Sequence, residues 1–118
     1  MGKLEIIFNK QKELQDKLAP DRKTNGINRQ RYINQMILGL HEETTEIMRC
    51  TAYKNPTYVK YGWKKTQNND FNHMREEIVD AMHFLVNLAE AIDMTAEEFF
   101  EVYCKKHNIN HERQENNY

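Results

Sequence analysis

Three long stretches of this chain repeat their apolar residues every three or four positions. They cover roughly residues 3–18, 28–52 and 71–93, contain no proline, and hold one glycine, Gly39. That period matches the turn of an α-helix and not a strand, whose faces alternate every second residue. With only 4 Gly and 2 Pro in the whole chain, there are few points at which a helix must stop. A fourth helix is announced by the capping box Thr95-Ala96-Glu97-Glu98, with Phe99, Phe100, Val102 and Tyr103 as its apolar side and Asn108 as its expected end. At 118 residues the chain is read as one all-α domain, residues 1–118, a helical bundle of about four main helices.

Two of these helices carry acidic pairs. Glu43 and Glu46 lie in Leu40-His41-Glu42-Glu43-Thr44-Thr45-Glu46-Ile47, and Glu77 and Asp80 lie in Glu76-Glu77-Ile78-Val79-Asp80-Ala81-Met82-His83-Phe84. Residues three apart share a helix face, so each pair sets two carboxylates side by side, where like charges repel. On a wheel of about 100° per residue, Glu43 sits roughly 60° and Glu46 roughly 120° from the apolar centre set by Ile33, Met36, Leu40 and Ile47. Around the centre set by Met74, Ile78, Ala81, Met82, Leu85 and Ile92, Glu77 sits roughly 75° away and Asp80 roughly 135°. The two placements match. Glu42 and Glu76 fall nearly opposite the core, as solvated charges do. Either helix alone is well explained by surface acids. Matched pairs on both ask for a shared cation.

Gln11 falls in the middle of the first helix's stripe of Leu4, Ile7, Phe8, Leu14 and Leu18. A buried amide left unpaired costs on the order of 1–3 kcal/mol. It therefore either pairs with a neighbouring helix or faces a ligand, and both readings stay open. An amide offers a donor and an acceptor together, as the edge of a pyrimidine requires. Asn25-Gly26 reads as a turn before the second helix, Gly39 as a close helix crossing, and Asp70 as the N-cap of the third helix. Between the acidic helices, residues 53–69 interleave aromatic and basic side chains, among them Trp63 and Lys64, in a pattern suited to ring and phosphate contacts. Packing of the rings over the helices is the plainer alternative.

A net charge of −1 lacks the basic field of a nucleic-acid binder, so no nucleic-acid partner is expected. No membrane partner is expected either, since no apolar run reaches spanning length and no signal peptide opens the chain. Cys50 and Cys104 form no metal or redox spacing, which suits free thiols in a reducing cytoplasm. The segment 108–118 is too polar to fold alone and is expected to be a mobile tail.

The ExxE of Glu43 and Glu46 followed by the ExxD of Glu77 and Asp80 resembles the all-α NTP pyrophosphohydrolases, the group of MazG-type enzymes and dimeric dUTPases. Gln11 in the first helix, Asp80-Ala81-Met82-His83-Phe84 beside the family's DxxHF, and the spacing Lys106-x3-Asn110-x2-Arg113-Gln114-x3-Tyr118 are similar to the dUTPase branch. Asn117 stands where that branch has glycine in its closing GY, and Gly62 interrupts its usual basic-aromatic run before Trp63.

The resemblance implies hydrolysis of dUTP to dUMP and pyrophosphate, which keeps uracil out of DNA. It implies Mg²⁺, or Mn²⁺, held by Glu43, Glu46, Glu77 and Asp80, with Glu46 also orienting or deprotonating water. Gln11 and Phe84 would face the base, Trp63 and Lys64 would contact substrate, and Lys106, Asn110, Arg113 and Tyr118 would close on the nucleotide. It also implies a homodimer, as do apolar stripes this broad on a chain this short. A related enzyme acting on dCTP or mixed nucleotides has the same acidic site. A non-enzymatic helical module is the third reading. His83, roughly 165° from its helix's core centre, reads as a surface or dimer-interface histidine.

Overall fold

The computed structural model describes residues 1–52 and 56–116 of the chain. These form α1 (Lys3–Leu18), α2 (Gly26–Arg49), α3 (Pro56–Lys60), α4 (Phe71–Ala91) and α5 (Ala96–Glu115), with no strand among them. The all-α expectation holds, with α3 as one added turn. No helix among the described residues is long and apolar enough to cross a membrane.

Side chains set most of the helix starts. The Asp70 carboxylate accepts from the His73 N–H at the start of α4, and Thr95 Oγ1 accepts from the Glu98 N–H at the start of α5. Asn25 is a cap and not a turn residue: its Oδ1 accepts from the Asn28 N–H at 2.7 Å, and α2 begins at Gly26. α5 does not stop at Asn108. It continues to Glu115, because nothing between Thr95 and Asn116 breaks a helix and pairs such as His111–Glu115 at i,i+4 support one. The stretch expected to be an irregular tail is thus largely helical, exposed apart from a half-buried Ile109, while the last two residues lie outside the described chain.

α2 and α4 make the principal packing contact, and α1 packs on α4 and on the start of α5. The core is Phe8, Val86 and Ala89, flanked by Leu4, Met82, Met94, Ala96 and Phe99, with the Phe8 and Phe99 rings edge to face at 5.6 Å. Gly39 lets α4 approach α2. A Cβ there would lie 2.2 Å from the Phe84 ring, so the ring occupies the space of the missing side chain.

Polar pairs complete the interior. Gln11 Nε2 donates to Asn87 Oδ1 at 3.0 Å, and the Tyr32 hydroxyl donates to Gln15 Oε1 at 2.9 Å. Burial pushes the Tyr32 phenol up to about 12, so it stays protonated as that donor. At the far end of α4, the Arg22 side chain is only 4% exposed and its guanidinium donates to Glu90, Asp16 and the Ala19 carbonyl. Lys23 bonds Glu90 and Asp93. Asp93 turns the chain out of α4 with φ 62°, a left-handed conformation that aspartate tolerates better than most residues. Burial alone would raise the Glu90 carboxyl, but its hydrogen bonds from Arg22 and Lys23 outweigh that and hold it below its usual range.

Two predictions follow from this packing. Gly39→Ala gains about 1 kcal/mol of helix propensity but forces the Phe84 ring aside, for a net loss of about 1–2 kcal/mol in chemical denaturation. Phe84→Leu in the same chain should recover part of it. Because the folded pKa of Glu90 is depressed, its contribution is present above the ordinary carboxyl value of 4.5 and is lost as pH falls through the lowered one. Glu90→Gln should therefore flatten the acid limb of the stability–pH curve, and Glu90→Ala should cost about 3 kcal/mol at neutral pH by leaving the buried Arg22 with only the half-exposed Asp16 as counter-charge.

Candidate active site

The crossing of α2 and α4 turns the acidic faces of the two helices toward each other. Carboxylate oxygens of Glu43, Glu77 and Asp80 come within 4.8 Å of one another, and all three residues are half-buried. These three residues would together hold one divalent cation, whose charge would offset theirs. Glu43 Oε2 is buried, and no donor among the described residues reaches it. Burial chiefly, then hydrogen bonding with Glu77 and the charges of Glu77, Asp80 and Glu46, hold the Glu43 carboxyl above its usual range. A buried acid with an unclaimed oxygen, facing two further acids, is a donor set suited to a hard cation.

Glu46 lies one turn further along α2 and is not in that group of three; its carboxylate pairs with Arg49 at 2.8 Å. Glu77 is instead bonded to the His73 ring, Nε2 to Oε1, at 2.9 Å. Under these acids Cys50 is buried, and its thiol donates to the Glu46 carbonyl. Burial, with Glu77, Asp70 and Glu46 nearby, pushes that thiol up, so it stays protonated rather than serving as a thiolate ligand.

The ends of the two acidic helices are strapped together. The Asp70 N–H donates to the Cys50 carbonyl at 2.7 Å, Asn69 Oδ1 accepts from the Ala52 N–H, and Gln67 Nε2 reaches the carbonyls of Arg49 and Thr51. The bonds from Asp70 and Gln67 satisfy carbonyls that the end of α2 leaves free. They also anchor the segment that carries Trp63 and Lys64. Trp63 is exposed and clusters with Tyr58 and Tyr61, at centroid distances of 5.8 and 5.2 Å, and Lys64 is exposed beside it. Gly62, at φ 75°, makes the left-handed turn that joins Trp63 to α3.

The other residues singled out in the sequence are distributed as follows. Phe84 covers Gly39 one turn beyond Asp80. Gln11 is buried against Asn87, whose Nδ2 in turn contacts Met36 Sδ at 3.4 Å, so this amide pair spans α1, α4 and α2. His83 is exposed. Lys106, Asn110 and Arg113 share one exposed face of α5 at i, i+4 and i+7, and among the described residues no ion pair joins them to the acids. Tyr118 lies outside the described residues. Asn87 and His73 were not picked out from the sequence, although spacing could have found both. Asn87 stands seven residues after Asp80 on the same face, and His73 four before Glu77.

A cleft of about 660 Å³ lies elsewhere, between α1 and the α4–α5 junction, and holds none of the four acids. Its cations are already engaged, Lys12 with Asp16 and Lys23 with Glu90 and Asp93. The acidic crossing, with its unsatisfied oxygen, is the better candidate for chemistry.

Among known proteins, the chain is similar to the dCTP pyrophosphatase of Enterobacteria phage T4, with 45% identity over 42 residues. That match covers 36% of this chain and spans about a quarter, 25%, of the relative's length. No solved structure matches the chain. The dUTPase family model matches residues 3–94 and 86–118, and on that near-complete coverage the chain belongs to the dUTPase family.

Proposed function

We propose that the protein is a nucleoside triphosphate pyrophosphohydrolase that converts dUTP to dUMP and pyrophosphate, using Mg²⁺ held at the crossing of α2 and α4. The observation that carries this reading is the convergence of Glu43, Glu77 and Asp80 around a buried, unsatisfied carboxylate oxygen in a chain of this family. Magnesium bound there would neutralise and orient the triphosphate. Glu46, pinned beside the cluster by Arg49, orients water or takes its proton as the water adds to the α-phosphorus. The bond from that phosphorus to the bridging oxygen breaks, and pyrophosphate leaves. Trp63 and Lys64, on the strapped segment, contact the substrate. Phe84 packs against the base, and Gln11, already aligned by Asn87, supplies the amide.

Lys106, Asn110 and Arg113, with Tyr118 beyond the described residues, close over the nucleotide from α5. Their helical alignment presents cation and amide on one face toward phosphate oxygens. The functional unit is a homodimer. Ile78 and Leu85 on α4 and Ile92 at its C-cap repeat every seven residues and are exposed in the single chain, Ile78 by 52% and Ile92 by 59%. The radius of gyration of 18.2 Å exceeds the roughly 13.5 Å of a compact chain this long. A second copy would cover this surface. The match to a dCTP pyrophosphatase supports one other reading, in which the same acids serve dCTP.

Pyrophosphate release with Mg²⁺ across the dNTP panel separates the two, and turnover of dCTP in preference to dUTP would overturn the uracil assignment. Glu46→Gln and Asp80→Asn should each cut turnover about a hundredfold or more while circular dichroism stays unchanged. Metal-free Glu43→Gln should melt higher than the parent, because it removes a buried charge from a repelling group. Truncation after Asn108 should leave α1–α4 folded, since the residues beyond it are nearly all exposed, and should raise KM and lower kcat for dUTP together.

A further inference from the structure

We propose that His73 is a positioning residue for the cation site, holding the Glu77 carboxylate in its ligating orientation. The inference rests on the reading of the three acids as that site. His73 Nε2 lies 2.9 Å from Glu77 Oε1, four residues apart on α4. An ionised carboxylate can only accept, so the imidazole carries its proton on Nε2 and donates it.

An ordinary surface pair exposes both partners, and this one does not. The His73 side chain is 53% exposed, whereas that of Glu77 is only 13% exposed. Glu77 is turned inward, toward Glu43 and Asp80. The histidine bond therefore takes up one lone pair of Oε1 and leaves the remaining lone pairs of the carboxylate for the cluster. Nε2, already donating, is not free to ligate. An outer-shell donor of this kind restrains rotation of the ligand it touches.

The position of His73 is itself determined by the strap between the helices. Its backbone N–H donates to Asp70 Oδ1 at 3.1 Å, and the Asp70 N–H donates to the Cys50 carbonyl at 2.7 Å. A line of hydrogen bonds thus runs from the end of α2, through the cap of α4, to His73 and on to Glu77. The orientation of a carboxylate on α4 is coupled by it to the end of the helix that bears Glu46.

The test is Mn²⁺ affinity of the full chain, measured by calorimetry and by the electron paramagnetic resonance of free Mn²⁺, alongside dUTP turnover. His73→Ala should weaken Mn²⁺ binding about tenfold to a hundredfold. His73→Gln, whose amide nitrogen reaches to about the same point, should restore most of it. Helicity and the melting temperature without metal should be nearly unchanged in both, since the His73 side chain is half exposed. Wild-type Mn²⁺ affinity in His73→Ala would overturn the proposal while leaving the cation site intact. Equal weakening in His73→Gln would overturn the donor role. A parent protein that takes up no Mn²⁺ would overturn the cation site, and this inference with it.

Discussion

The contact between α2 and α4 is the constraint on which the remaining structure depends. Gly39 has no Cβ, and the Phe84 ring fills the space that one would take. Helices that approach this closely bring whatever lies on the adjoining faces into contact as well, and one turn from the crossing those faces carry carboxylates. The proximity of Glu43, Glu77 and Asp80 is therefore a consequence of apolar packing nearby, since the acids repel one another. Packing at the α2–α4 crossing, where the Phe84 ring sits on Gly39 and Asn87 meets Met36, holds them together against that repulsion. A group kept close at a cost in stability is a common property of binding sites, whose ligand offsets the cost.

The two ends of α4 have opposite electrostatics. Toward its start, acids face acids and one buried oxygen lacks a donor among the described residues. Toward its end, Arg22 and Lys23 meet Glu90, Asp93 and Asp16 in a network in which every charge is opposed. The second arrangement stabilises the bundle at neutral pH, and burial there is compensated by geometry and by several hydrogen bonds. The first is compensated only at its edges, by Arg49 on Glu46 and His73 on Glu77. That asymmetry, more than the presence of acids as such, separates the candidate site from the many charged residues on the surface. It is also why the cleft at the α4–α5 junction is the weaker candidate: its cations already have partners.

Family membership and geometry bear on different parts of the functional reading. The family model spans the chain and identifies its kind. The crossing identifies which acids share one locus, three of the four, with Glu46 adjacent and paired to Arg49. The remaining separation lies between that locus and α5. Beyond Phe99, helix α5 carries Lys106, Asn110 and Arg113 on an exposed face, and among the described residues no ion pair joins them to the acids.

The sequence by itself determined the helices, their caps at Asp70 and Thr95, the close crossing at Gly39, and the shared placement of the acid pairs. These depend on local spacing and on residue chemistry, which a single chain displays directly. It misread two places where local signals compete. Asn25-Gly26 suits a turn and an N-cap equally, and the polar run after Asn108 lacks an apolar stripe yet has no helix breaker. Only the tertiary structure decided which stripe residues are covered. Leu14, Leu18, Ile78 and Ile92 belong to the periodic pattern but are exposed, while Gln11, Gln15 and Asn87 are buried, because packing depends on which face meets a neighbour and not on hydrophobicity alone. It also decided that Glu43, rather than Glu46, joins Glu77 and Asp80, and that His73 and Asn87 stand beside the residues the motif had marked. Those facts follow from the angle and distance at which α2 meets α4, and no spacing within either helix contains them.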